Sequence, residues 1–101
     1  SAVPSATTTG WNGAIEKTFR IRNKLGLHAR AASLFVQLSN RFDSDIFVAK
    51  NGQEVNGKSI MGIIMLAAAQ GAEITLKVNG TDAIGAMNAL GELIDNGFGE
   101  D

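Results

Sequence analysis

Residues Glu73 to Val78 alternate without a break: Glu73, Thr75 and Lys77 are polar, and Ile74, Leu76 and Val78 are apolar. Successive side chains of a strand point to opposite faces, so this run describes a strand with one wet face and one core face. The segment Glu16–Asn23 repeats the pattern, with Phe19 and Ile21 against Thr18, Arg20 and Arg22. Strands of this kind imply a sheet open to water on one side, which antiparallel sheets tolerate. The helices of the chain must then lie on the other face.

Three segments carry helical spacing. Ala31, Leu34, Phe35, Leu38 and Phe42 form one stripe, which predicts a helix over Ala29–Phe42 after a short loop at Lys24–Leu27. Ser59 is a good N-cap for a short helix to about Leu66. Thr81 or Asp82 is placed to cap a last helix reaching about Asn96, with Ala83, Met87, Leu90 and Ile94 as its stripe and Gly97 at its C-terminal cap. Gly85 and Gly91 weaken that helix intrinsically, so packing must hold it. Between these segments, Asp45–Lys50 and Gln53–Val55 flank Asn51-Gly52, a strong hairpin signal, and Asn79-Gly80 turns the chain again. The expected order is strand, helix, strand, strand, helix, strand, helix, forming an open-faced sandwich of a sheet and helices. One domain over residues 15–101 is expected, after a Ser/Thr/Gly/Ala-rich tail over 1–14 that holds Pro4 and, as a stray apolar anchor or an exposed tail residue, Trp11.

Composition removes several classes of function. A chain of 101 residues buries roughly two-thirds of its unfolded surface, enough for a core without staples. A net charge of -1 gives no bulk attraction to nucleic acid or to an anionic membrane, and no aromatic stacking run marks the strands. Cysteine is absent and histidine occurs once, so disulfides, thiolate metal sites and multi-histidine metal sites within the chain are excluded. No metal and no cofactor are expected. The longest apolar stretch, Ile60–Ala69, is broken by Gly62 and is far too short to span a membrane. No basic segment followed by an apolar run opens the sequence, so no signal peptide is expected and a cytoplasmic location is.

The single histidine, His28, falls at the start of the first helix. The first amides of a helix lack intrahelical partners and the macrodipole is positive there, worth about 0.3–1 kcal/mol to an exposed anion. Arg30 adds a guanidinium fork suited to phosphate. Imidazole is a competent nucleophile near neutral pH. Two readings stand open on spacing alone: a covalent phosphohistidine site, or a solvated or capping histidine beside an ordinary surface arginine.

The surrounding residues add a resemblance. Gly26-Leu27-His28-Ala29-Arg30-Ala31-Ala32 resembles the active-site motif of the HPr family, the histidine-containing phosphocarriers of the bacterial phosphotransferase system. Asn56-Gly57-Lys58-Ser59-Ile60-Met61-Gly62-Ile63-Ile64-Met65-Leu66 is similar to that family's regulatory-serine segment. Gly71-Ala72-Glu73-Ile74 and the final helix through Leu90 match in kind and order, so the likeness runs from about Lys17 to Glu100. It implies an α+β, HPr-like open-faced sandwich, βαββαβα, with four antiparallel strands and three helices on one face. It also implies that His28 accepts a phosphoryl group through Nδ1 from phospho-enzyme I and donates it to IIA proteins. Arg30 would attend the phosphate. The chain would be a monomeric phosphoryl carrier rather than a stand-alone enzyme. Ala31 stands where the family usually has proline, which keeps the helix and restores an amide donor.

Ser59 is expected as an N-cap, worth about 1 kcal/mol. By resemblance it is also a regulatory phosphorylation site for an HPr kinase/phosphorylase. A phosphate there carries about -1.5 to -2 charge and alters the field without refolding. Ile60, Met61 and Ile64 follow on the same helix, and with Ile63 and Leu66 present not all can face the core. The resemblance makes these three a docking patch, with Ser33, Leu34 and Gln37 as further contacts on the first helix. The competing reading is a purely regulatory binding module, in which Ser59 phosphorylation creates binding to a regulatory partner.

Overall fold

The computed structural model describes residues 14–100. Ile74, Leu76 and Val78 are buried, as their alternation requires, and they form the inner face of the strand at the centre of the fold. That strand, β4 (Glu73–Asn79), pairs antiparallel with β1 (Ile15–Arg20) on one side and β2 (Asp45–Lys50) on the other. β3 (Gln53–Asn56) pairs with β2, so the sheet order is β1-β4-β2-β3. Three helices cover the inner face: α1 (Ala29–Ser39), α2 (Ile60–Met65) and α3 (Ala83–Asp95). The fold is the expected open-faced α+β arrangement.

The core joins Phe19, Ile21, Phe35, Ile46, Val48, Ile63, Leu76, Leu90, Ile94 and Phe98, all buried. Of the α1 stripe, Ala31 and Phe35 are buried, while Leu34, Leu38 and Phe42 pack against the core's margin. Gly91, weak in a helix by itself, serves packing: a Cβ there would stand 2.7 Å from the Phe19 ring, so the glycine lets α3 lie close on β1.

Two element ends and one helix cap differ most from expectation. β1 stops at Arg20 rather than Asn23, because Ile21 leaves the ladder and bonds the loop before β4, its amide to Ala72 O at 2.9 Å and its carbonyl to Gly71 N at 2.8 Å. α1 stops at Ser39 rather than Phe42. Asn40 Nδ2 turns back onto Val36 O at 2.9 Å, and the amides of Arg41 and Phe42 reach Leu38 and Ser39 in tighter turns. Neither Thr81 nor Asp82 caps α3 with its side chain. Asp82 holds the N-cap position, but its carboxylate accepts from the amides of Asp43 and Ser44 and from the Ser44 hydroxyl. It clamps the α1–β2 loop instead of the helix end. Gly97 does follow α3 with a positive φ of 64°. The expectations for Trp11 and the rest of residues 1–13 lie outside the described residues.

Candidate functional site

The turn after β1 is pinned at both ends. Gly26 N donates to Asn23 O at 3.2 Å, and Leu27 N donates to Ala68 O at 2.8 Å. Gly26 has φ +65°, and a Cβ on it would lie 2.3 Å from Ala68 O, so only glycine suits the position. The pinned loop delivers His28 as the N-cap of α1, with extended φ/ψ of -74° and 178°. Its carbonyl takes the Ala32 amide at 2.8 Å, but its side chain makes no capping bond. The imidazole is therefore left for another task, beside the unpaired first amides of α1.

The other half of the site comes from the far end of the chain. Gly97, Phe98 and Gly99 all have positive φ, at 64°, 58° and 75°. For Phe98 that conformation costs roughly 1–2 kcal/mol, which burial of its ring offsets. This turn carries Glu100 back over the start of α1. Glu100 Oε2 lies 2.5 Å from His28 Nε2 and 3.0 Å from Arg30 Nη1. Arg30 Nη1 also donates to Phe98 O at 3.3 Å, and Asn23 Nδ2 donates to Glu100 Oε1 at 2.9 Å. The Asn23 amide, then the His28 ring, hold the Glu100 carboxyl below its ordinary value of 4.5.

A carboxylate accepts and does not donate, so the ring atom facing Glu100 carries the proton. In the neutral ring the other nitrogen, Nδ1, then holds the lone pair, and no described residue hydrogen-bonds it. The ring is about a quarter exposed, and Arg30, more than half exposed, reaches the same Glu100 oxygen that faces Nε2. The arrangement can take up an electrophilic anion such as a phosphoryl group. Sequence reasoning placed His28 and Arg30 together, as the structure does, and missed Glu100 and Asn23. A lone glutamate 72 residues from its partner carries no periodic or spacing signal.

Ser59 caps α2 as expected: its Oγ accepts from Gly62 N at 3.2 Å. On α2, Ile63 is buried, as is the following Leu66, whereas Ile60, Met61 and Ile64 are exposed. Met65 is as exposed as Met61, 64% against 65%, and belongs to the same patch although the sequence reading passed over it. α1 packs beside α2. On α1, Gln37 is exposed and donates to Ser33 Oγ at 2.9 Å, while Ser33 and Leu34 are half-buried.

A family model described as "PTS HPr component phosphorylation site" matches residues 15–96. The phosphocarrier protein HPr of Neisseria meningitidis serogroup A is 51% identical over 86 residues, spanning 85% of this chain and 97% of that protein. A crystal structure of HPr from Thermoanaerobacter tengcongensis superposes with a TM-score of 0.84 at 48% identity, covering 86% of this chain and 98% of that one. Crh from Bacillus subtilis, described as a catabolite repression protein and as a domain-swapped dimer, superposes with a TM-score of 0.67 at 43% identity, over 82% and 95% of the two chains. By both sequence and fold, this chain belongs to the HPr family of phosphotransferase-system phosphocarriers.

Proposed function

We propose that His28 is the phosphoryl acceptor, taking the group on Nδ1 from phospho-enzyme I and passing it to IIA proteins of a sugar or regulatory branch. The observation that carries this reading is the N-cap imidazole tied through Nε2 to Glu100, which also holds Arg30, with Nδ1 free of hydrogen bonds among the described residues. Arg30 is held by Glu100 and by Phe98 O before the reaction. A dianionic adduct on Nδ1 competes with Glu100 for that guanidinium, and charge-assisted bonds to phosphate favour the exchange. The orphan amides at the start of α1 add a field of the right sign. Because the group must leave again, modest stabilisation serves a carrier better than a deep site.

Ile60, Met61, Ile64 and Met65 form the docking surface in this reading, flanked by Ser33, Leu34 and Gln37 on α1. Exposed apolar side chains grouped on one short helix suit transient association, and methionine adapts to more than one partner. The carrier works as a cytoplasmic monomer. The dimeric description of Crh makes that a point to measure, by light scattering at working concentration.

The test is a mass measurement after incubation with phosphoenolpyruvate, magnesium and enzyme I. One added phosphoryl group is expected, labile in acid and absent in His28→Ala. Equal labelling of His28→Ala would refute the proposal.

A second reading is favoured by Ser59, which caps α2 next to the exposed patch and is half-exposed. In that reading the chain is a regulatory module: an HPr kinase/phosphorylase modifies Ser59, and the phosphorylated face binds a regulatory partner. It expects acid-stable, ATP-dependent labelling that Ser59→Ala abolishes.

A further inference from the structure

Asn23 is 2% exposed and belongs to the turn that delivers His28. Its Nδ2 group donates to the carbonyl of Gly26 at 2.8 Å and to Oε1 of Glu100 at 2.9 Å. Its Oδ1 is buried with no partner among the described residues. The unpaired oxygen is a cost, but an apolar side chain here would take the donor away from the Gly26 carbonyl and from Glu100 Oε1. The place of Asn23 is therefore set by its two donors rather than by its oxygen. What its two bonds achieve is to tie the loop before His28 to the carboxylate that faces its ring, two segments 77 residues apart. A Cβ on Gly97 would only just reach ordinary contact with Asn23 Cβ, at 3.6 Å, so the C-terminal turn passes alongside this residue.

We infer that Asn23 is a positioning residue for phosphoryl transfer: through Glu100 it fixes the His28 ring with its proton on Nε2 and its lone pair on Nδ1. The inference rests on the reading of His28 as the acceptor. As the bond from phosphorus to Nδ1 forms, the bond from phosphorus to the donor breaks and its electron pair leaves with the donor. Nδ1 has no proton to shed, because the ring proton sits on Nε2 and stays there, facing the carboxylate. In the opposite tautomer Nδ1 carries the proton, and attack requires its removal first. Asn23 touches neither the ring nor the phosphoryl group. It acts by keeping Glu100 from drifting along the exposed side of Arg30.

The test uses the full chain labelled with 15N, at a pH where the imidazole is neutral. Long-range 1H–15N spectra read which ring nitrogen holds the proton. The wild type is expected in the Nε2–H form. Asn23→Ala is expected to shift it toward a mixture and to slow transfer from phospho-enzyme I roughly 10-fold, the low end of the loss when an outer hydrogen-bond partner of a metal-bound histidine is removed. In a Glu100→Ala background the Asn23 change is expected to add nothing to either readout. An unchanged tautomer and rate in Asn23→Ala overturns the inference, and so does further slowing in the Glu100→Ala background. If Asn23→Ala folds incompletely, Glu100→Ala alone decides: the inference requires its tautomer to shift, and retention of the wild-type form contradicts it. Failure of the wild type to label at His28 is a separate outcome, which refutes the acceptor reading and leaves the tautomer result to stand by itself.

Discussion

His28 Nε2 and Glu100 Oε2 lie 2.5 Å apart, joining the start of α1 to the last described residue of the chain. The same carboxylate takes Arg30 through Oε2 and Asn23 through Oε1. Three donors on one carboxylate make it the hub of the site. Asp82 is its structural counterpart at the other end of α3, where it clamps Asp43 and Ser44.

These two carboxylates are expected to link the stability of the fold to pH. Glu100 is held below its ordinary value of 4.5, first by the Asn23 amide. Asp82 is held below its ordinary 3.8, first by the Ser44 hydroxyl and then by the Asp43 amide. A carboxyl depressed in the folded state contributes stability that is full above its unfolded value and is lost as pH falls through the folded value. Urea unfolding of the wild type, Glu100→Gln and Asp82→Asn should show each variant less stable at pH 6, with the gap closing as pH drops below about 4. A gap that stays constant with pH would show that neither carboxylate is linked to folding in this way.

Arg30→Ala should slow phosphoryl transfer while leaving the fold intact. The side chain is 58% exposed, and exposed charge pairs contribute roughly 0–1 kcal/mol. Thermal melts together with a transfer time course separate the two effects. Loss of folding at ordinary temperature would mean that its bond to Phe98 O anchors the C-terminal turn.

Leu90→Ala should cost roughly 2–5 kcal/mol through a cavity under α3, since Leu90 is wholly buried. Gly26→Ala should also destabilise, by roughly 1–3 kcal/mol, because its Cβ meets Ala68 O. The two differ in function. Folded Leu90→Ala should still label at the wild-type rate, whereas Gly26→Ala displaces the loop before His28 and should label more slowly. Equal rates in the two variants would show that the loop does not position the ring.

Ser59→Ala should cost about 1 kcal/mol by removing the cap on Gly62 N. Ser59→Asp should keep the cap and add negative charge beside Ile60 and Met61, so stability is retained while transfer from phospho-enzyme I slows. Denaturation midpoints and initial transfer rates check both. An Asp variant that transfers at the wild-type rate would argue against this face as the docking surface.

Much of the fold was legible because its signals are local. The alternation of Ile74, Leu76 and Val78 named the inner face of β4, and Asn51-Gly52 named the β2–β3 hairpin, since both depend on neighbours a few residues away. The surplus of apolar residues on α2 foretold an exposed set, and Ile60, Met61 and Ile64 are in it. What escaped are pairings across the chain. Asp82 reads as a helix cap by type and position, yet the amides of Asp43 and Ser44 compete successfully for its carboxylate. Glu100 and Asn23 meet His28 only because three successive residues of positive φ fold the terminus back, and Phe98 is an unusual residue for such a turn. Of the candidate site, the ring and the guanidinium were visible in the sequence, but the carboxylate between them was not.

The destination of the phosphoryl group is the most direct measure of this site's chemistry. 31P NMR of the chain charged with phosphoenolpyruvate and enzyme I should show one phosphoramidate signal, assigned to Nδ1 of His28 by 15N correlation and absent in His28→Ala. A signal on Nε2, or one that survives in His28→Ala, would contradict His28 Nδ1 as the acceptor.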